Sequence, residues 1–329
     1  MSRPDALPDL AALIAAALGR PVRPGDRLAV ATSGGPDSLA LLSLAAAAFP
    51  GRVTGLTVDH RLRVDSSDEA AAVAAQCAVR GLPHLTLERS GPAFKANLQA
   101  QARDARYALM GDWCAAHDHG LLLTAHHADD QAETLLMRLG RGSGTEGLAG
   151  IRAARRLRPG VMLVRPLLGV RKAELAVIAA AAGWQAADDP SNRDPRHDRT
   201  QVRALLAAAP AIDVAALARS AAHLALEAEA LAWATDLAWQ GRVQQAGNML
   251  LVDAGGLPAA LVWRLLARAI ETLAGRPARG SGIARLAARL AEGQPGTLCG
   301  VQARPGHVWQ ISVTRPPQNG SKSSQVGSE

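Results

Sequence analysis

The apolar residues in the first half of the chain fall in short runs separated by longer mixed stretches, the pattern of strands alternating with helices. Residues 28–31 read Leu-Ala-Val-Ala, a strand-like run; a turn with two glycines follows, and residues 39–48 are then a continuous Ala- and Leu-rich helical run. A second strand is predicted over 52–58. Ser66-Ser67-Asp68-Glu69 opens a helix with capping-box spacing between Ser66 and Glu69, and Gly81 and Pro83 end it after Arg80. Residues 84–88 form a third strand, 97–117 a helix, 121–125 a fourth strand and 129–139 another helix. Strands separated by helices pair in parallel through right-handed crossovers, so the class is α/β with a doubly wound parallel sheet. Ligands of such sheets gather at the carboxyl ends of the strands. Ser33, Asp59 and His126 each fall just past such an end.

The second half reads differently. Residues 214–240 form one long Ala-rich helix, with Trp233 and Trp239 read as core. Leu257-Pro258 opens a helix that runs to 274, residues 282–292 give another, and 297–314 carries strand signals. The expected organisation is a first domain over 1–205, a smaller, mainly helical domain over 206–315, and a disordered polar tail over 316–329. The polar stretch 188–198 is expected to be the linker that ends the first domain. Residues 10–18 predict an N-terminal amphipathic helix, too short to cross a bilayer and preceded by Asp5 and Asp9 rather than by the basic start of a secretory signal.

Composition sharpens this picture in two ways. Cys77, Cys114 and Cys299 are far apart and no CxxC occurs, which suggests neither a disulfide framework nor a zinc or iron–sulfur cluster and fits a cytoplasmic setting. The formal net charge is +7, and it is unevenly placed: residues 1–150 are net −2, 151–203 net +6 and 204–329 net +3. A basic rear suits a polyanion, with a solvated Arg-rich surface as the equal alternative.

The candidate chemistry sits at the strand ends. In Ser33-Gly34-Gly35-Pro36-Asp37-Ser38 the glycines allow a tight turn, and the helix start directs free N–H groups and the positive dipole end into it, as an anion site requires. Asp37 is out of place beside phosphate unless Mg²⁺ lies between them; the plainer reading is an ordinary capped turn. Asp59-His60 is either the start of a surface loop or a nucleotide or metal contact. Arg103, Arg106 and Tyr107 share a helix face, either salt-bridged surface or a phosphate or RNA contact. The densest polar cluster runs from Thr124 through His126, His127, Asp129, Asp130 and Glu133 to Thr134. Asp130 and Glu133 share a face and suit Mg²⁺ or an ammonium group, although an acidic first helical turn also satisfies the dipole. Gly142, Gly144 and Gly147 spell GxGxxG, but after a helix, so a flexible loop bearing Arg141 is the better reading, and no Walker motif occurs. Arg152, Arg155, Arg156 and Arg158 make a basic cluster, a solvated loop or an RNA-backbone contact.

The hexapeptide 33–38 resembles the SGGxDS pyrophosphate loop of the ATP-pyrophosphatases, and residues 124–150 resemble the tRNA(Ile)-lysidine synthetase signature TAHHxDDQxETxLMRLxRGxGxxGLxG. Arg165-Pro166-Leu167-Leu168 and Asp188-Asp189-Pro190-Ser191-Asn192 match that family as well. Arg61 stands where the family has glycine, and Gln201 replaces the middle arginine of an R-N-R-I-R element whose outer members, Arg199 and Arg203, remain. The resemblance implies an ATP- and Mg²⁺-dependent ligase that joins free L-lysine to the wobble cytidine of the CAU anticodon of isoleucine tRNA, changing its codon from AUG to AUA. It implies catalytic roles for Asp37, His126, Asp130 and Glu133, and ATP contacts from Ser33, Gly34, Gly35, Pro36, Asp37, Ser38 and Asp59. Asp37 is the expected Mg²⁺ ligand, and Arg103, Arg106, Arg141, Arg199 and Arg203 are expected tRNA or phosphate contacts. The rivals are another tRNA-modifying enzyme of the group, such as a 2-thiocytidine synthetase, and a non-catalytic nucleotide-binding protein.

Overall fold

The computed structural model describes residues 7–59, 66–90, 98–187 and 198–314. The expected linker at 188–198, apart from Asp198, which is the first residue of a helix, the Arg61 departure and the tail at 316–329 lie outside the described residues. The chain divides into two compact units, 1–226 and 227–329. The sequence pattern placed the boundary at 205, inside a helix of the first unit.

The first unit runs α1 (Leu10–Leu18), β1 (Leu28–Ala31), α2 (Pro36–Ala48), β2 (Val53–Asp59), α3 (Ser66–Val79), β3 (His84–Glu88) and α4 (Leu98–Ala116). It continues with β4 (Leu121–Leu123), α5 (Ala128–Leu139), α6 (Thr145–Leu148), β5 (Ala154–Arg158), β6 (Val161–Val164), α7 (Lys172–Ala181), α8 (Asp198–Ala208) and the first turns of α9 (Val214–Arg242). Its six strands form one sheet in the order β3-β2-β1-β4-β6-β5. All neighbouring pairs are parallel except β5 with β6. The basic stretch read as a loop is therefore largely an antiparallel edge strand; its alternating arginines hide the strand signal, because an edge strand with a solvated face needs few apolar residues.

Successive residues of the central strands face opposite layers. Leu28, Val30, Leu121 and Leu123 pack with Leu10, Ile14, Leu39, Leu42, Val73 and Leu175, so α1, α2, α3 and α7 cover one face. Ala29, Leu122 and Leu163 pack with Tyr107, Met110 and Cys114 of α4 on the other face. Burial on both sides is why these strands read as unbroken apolar runs. The chain leaves β1 towards β2 on one side while β4 lies on its other side, so the crevice between the carboxyl ends of β1 and β4 is the topological switch point.

The second unit holds the rest of α9, then β7 (Val243–Ala246), β8 (Met249–Val252), α10 (Ala259–Ala274), α11 (Gly280–Ala291), β9 (Gly296–Leu298), β10 (Val301–Arg304) and β11 (Trp309–Val313). The strands form an antiparallel sheet in the order β7-β8-β11-β10-β9. Leu265, Leu266, Ala269 and Ile270 of α10 and Ile283, Leu286 and Leu290 of α11 meet Leu250, Val252, Val301 and Ile311 of the sheet in one core. This unit is thus mainly helical with its helices packed on a sheet, and the strand signals read over 297–314 fall on β9, β10 and β11. The hairpin of β7 and β8 was not foreseen, since Val-Gln-Gln-Ala carries almost no apolar alternation. Trp233, read as core, is 67% exposed, whereas Trp239 packs against the core.

Candidate active site

The SGGPDS turn joins β1 to α2 at the switch point. Gly34 has φ of 82°, and a Cβ there would stand 3.1 Å from Val73 Cγ2, so both backbone and packing select glycine. Gly35 is the N-cap of α2 and Pro36 occupies its first turn, where no N–H is needed. Ser38 is buried and braces the turn: its Oγ accepts from Ser33 N–H (3.1 Å) and donates to the Gly35 carbonyl (2.9 Å), with Ser33 Oγ at 3.4 Å. The cap position makes no side-chain hydrogen bond to the first helical N–H groups. They remain oriented for an anion.

Past the end of β4, His127 is the N-cap of α5. Its Nδ1 lies 3.4 Å from Asp130 N, and Asp130 Oδ2 accepts from the His127 backbone N–H at 3.2 Å, a reciprocal cap on α5. The buried ring stands among three carboxylates: Asp37 Oδ2 at 3.5 Å, Asp130 Oδ2 at 3.6 Å and Asp129 Oδ2 at 3.7 Å. Burial disfavours charge on the ring, but the hydrogen bond to Asp37 and the fields of Asp130, Asp37 and Asp129 outweigh it and raise the pKa above its ordinary value. Once protonated, Nδ1 turns from acceptor into donor, and the ring becomes the counter-ion of this cluster. Asp129 faces away from the crevice. Its carboxylate accepts from Arg171 Nε and Nη2, both at 3.2 Å, and from Lys172 N–H at 2.8 Å, which fastens the start of α7.

His126 has the opposite surroundings. Arg103 Nη2 lies 3.0 Å from its Nε2 and Thr124 Oγ1 lies 3.0 Å from its Nδ1. Burial, then the charges of Arg165, Arg103, Arg199 and His127, push its pKa down to about 2. The imidazole is neutral and weakly basic, which suits a hydrogen-bond acceptor far better than a general base.

Glu133 is 2% exposed. Its Oε1 accepts from Arg203 Nε at 2.5 Å, while Oε2 is buried without a partner. Asp37 Oδ1, Thr134 Oγ1 and Arg165 Nε are likewise buried and unpartnered. Buried polar atoms are nearly always paired, so these orphans, Asp37 and Glu133 at the carboxylate cluster and Thr134 and Arg165 in the cleft beside it, mark where ligand atoms belong. Beyond Glu133 opens a cleft of about 610 Å³, lined by Arg103, Arg138, Arg152, Arg155, Arg165 and Arg199 with Thr134 and Glu146.

The sequence-predicted residues therefore divide. Asp37, Asp130 and Glu133 meet at the crevice, His126 borders the arginine cleft, and Arg103 and Arg199 line it. Arg203 sits on α8 and holds Glu133. Asp59 is buried, and its two oxygens accept from the hydroxyls of Ser66 (2.7 Å) and Ser67 (2.8 Å) at the start of α3. That bond gives Ser66 a role beyond the expected capping box. Arg106 is exposed on α4, and Arg141 lies in the turn after α5. Sequence reasoning gave no role to Gln131, whose amide clamps Ile151 (Nε2 to O 3.0 Å, N–H to Oε1 2.6 Å), or to Arg138, which donates to the carbonyls of Gly147 (2.6 Å) and Gly150 (3.0 Å). A buried amide inside an otherwise amphipathic helix is the signal that marks Gln131.

Among the described residues no helix is long and apolar enough to cross a membrane. A family described as the PP-loop domain matches residues 9–209. The tRNA(Ile)-lysidine synthase of Zymomonas mobilis is 42% identical over 299 residues, 88% of this chain and 89% of that protein. That of Novosphingobium aromaticivorans is 43% identical over 303 residues, 91% of each chain. Among solved structures, a U34-tRNA thiolase from Methanococcus maripaludis aligns with a TM-score of 0.53 and 16% identity over 65% of this chain and 76% of that one, a likeness of fold alone. With a PP-loop match over residues 9–209 and relatives this similar over about nine tenths of both chains, the chain belongs to the tRNA(Ile)-lysidine synthase family.

Proposed function

We propose that the chain uses ATP to ligate lysine to C2 of the wobble cytidine in the CAU anticodon of isoleucine tRNA. The cytidine O2 attacks the α-phosphorus of ATP and pyrophosphate leaves; the ε-amine of lysine then attacks C2, the C–O bond to AMP breaks, and the amine loses a proton. The observation that carries this reading is the meeting, at one switch point, of an anion-binding turn and a helix end whose buried Glu133 keeps an unpartnered oxygen. Membership of the family supports it, and the same membership disfavours a thiolating enzyme.

The turn N–H groups bind phosphate and orient it. Asp37 Oδ1, buried and unpartnered, fits a Mg²⁺ contact. No group of three or more His, Cys, Asp or Glu among the described residues could hold a metal. One carboxylate completed by phosphate oxygens and water is the usual Mg²⁺ arrangement. The ion, when bound, supplies charge stabilisation at the phosphates. Glu133 Oε2 receives a lysine ammonium group, and Asp130, three residues before it on the same helix, takes the proton that the amine loses. Incubation with ATP, lysine and isoleucine tRNA, read by mass spectrometry of the digested tRNA and by AMP release, is expected to give lysidine and one AMP per modified nucleoside. Asp37→Ala is expected to stop pyrophosphate release with the fold intact. Unmodified tRNA under these conditions, or a folded Asp37→Ala that adenylates at the normal rate, would refute these assignments.

A further inference from the structure

The arginine cleft has a feature that neither the loop nor the carboxylates require. Tyr107, the chain's one tyrosine, is 8% exposed in α4, and three guanidiniums converge on it. Arg103 Nη2 donates to its hydroxyl at 3.2 Å. The guanidinium carbons of Arg103 and Arg155 stand over its ring at 5.2 and 5.3 Å from the centroid, within cation–π range. Arg165, 5% exposed, is the third. Burial lowers its pKa, Tyr107 raises it again, and Arg103 and Arg155 lower it, so the three cations repel one another across the tyrosine. These arginines come from α4, from β5 and from the residue after β6; Arg165 also donates to the Arg152 carbonyl at 2.8 Å, and Arg103 also meets His126.

We propose that Tyr107 is a positioning residue, whose hydroxyl and ring hold Arg103, Arg155 and Arg165 as one wall of the cleft, shaped to grip the phosphodiester backbone of the tRNA beside the reacting cytidine. Three convergent cations exceed what a single carboxylate needs and suit consecutive phosphates. Thr134 Oγ1 and Arg165 Nε, buried and unpartnered in the same lining, add donors for phosphate oxygens. An aromatic face with a hydroxyl at its edge can brace such a group where a carboxylate would cancel its charge. The inference rests on the tRNA-ligase reading of the site.

The test is a double-mutant cycle on the affinity of the full-length protein for isoleucine tRNA at fixed salt. Tyr107→Phe keeps the ring and core packing and removes the acceptor; it is expected to weaken tRNA binding about three- to tenfold, with ATP affinity unchanged. In an Arg103→Ala/Arg155→Ala background, itself weakened, the same change is expected to cost less than about twofold, which a merely structural tyrosine would not show. Arg155→Lys, an exposed change that leaves the core alone, keeps charge and loses the planar contact, and is expected to weaken binding about threefold. Undiminished loss from Tyr107→Phe in the arginine-free background, or wild-type binding by both Tyr107→Phe and Arg155→Lys, would overturn the role of Tyr107. Wild-type binding by the Arg103→Ala/Arg155→Ala protein would instead remove the cleft from RNA contact and, with it, the reading beneath.

Discussion

Glu133 is the residue on which the lysine half of the reaction turns. One oxygen is held by Arg203 and the other is buried and unpartnered, so the carboxylate is fixed in place with half its capacity available. Glu133→Gln keeps the shape and removes the charge. The loss of one desolvated, charge-assisted contact costs about 1.5–3 kcal/mol, roughly ten- to a hundredfold in the lysine half-saturation point. Adenylated tRNA is expected to accumulate when lysine is limiting, while ATP affinity holds. Arg203→Ala acts otherwise. It strands a buried carboxylate oxygen, and because the arginine is itself 36% exposed the expected cost is about 1–3 kcal/mol of stability, below that of a fully buried pair. A lysine titration in single turnover settles the point: an unmoved half-saturation point in Glu133→Gln removes Glu133 from the lysine site. His126 allows a second measurement. Its folded pKa, about 2, lies below the unfolded value near 6.5, so below pH 6.5 the unfolded chain binds a proton that the folded chain refuses. Stability is therefore lost as pH falls from 6.5, by at most about 1.4 kcal/mol per pH unit from this group. His126→Asn is expected to flatten the denaturation midpoint between pH 6.5 and 5; an unchanged slope would mean that the imidazole is not held neutral. The sequence made the residue types of this site legible but not their division of labour. His126 and His127 are neighbours of one type, and only the fold sends one among arginines and the other among carboxylates.

At the scale of elements, α5 carries the site, and the segment that follows is pinned back onto it. The amide of Gln131 clamps Ile151 across a residue, Gly150, whose φ is 67° and whose Cβ, if present, would lie 2.3 Å from Gln131 Oε1. Gly142 has the same φ of 67° but open space around it. The pair separates backbone strain from packing. Gly142→Ala carries only the left-handed penalty, about 1–2 kcal/mol. Gly150→Ala adds the collision with the clamp and is expected to cost at least about 2 kcal/mol more by chemical denaturation. It is also expected to weaken tRNA binding, because Arg138 and Arg152 of the cleft are held by this turn. Equal destabilisation by the two changes would mean that the clamp yields freely. Strands buried on both faces and helices with capped ends were legible in the sequence, because their apolar runs are long. The edge strands β5 and β7 were not, since half of their residues face solvent and their pairing depends on partners that the local pattern does not contain.

At the scale of the whole molecule the chain divides into two compact units, and the sequence and the fold place the division differently. A boundary at 205 falls inside α8 and leaves out α9, whose Ala218 and Ala221 are buried, with Ala221 against the position of Gly150 in the first unit. A protein ending before α9 would lose that cover beside the site, whereas one ending at Leu226 keeps it. Residues 1–226 are therefore expected to unfold cooperatively and to bind ATP with full affinity. Residues 227–329 are net +3, and if they hold part of the tRNA their removal takes phosphate contacts with it. Each neutralised phosphate contributes about 0.7–0.9 to the slope of log affinity against log salt, so the truncated protein is expected to bind isoleucine tRNA more weakly and with a slope shallower by at least about 1. The slope is the informative quantity, because damage to the first unit would lower affinity without a matching change in salt dependence. A folded 1–226 protein with unchanged affinity and slope would place the whole tRNA grip in the first unit, on the arginine cleft alone.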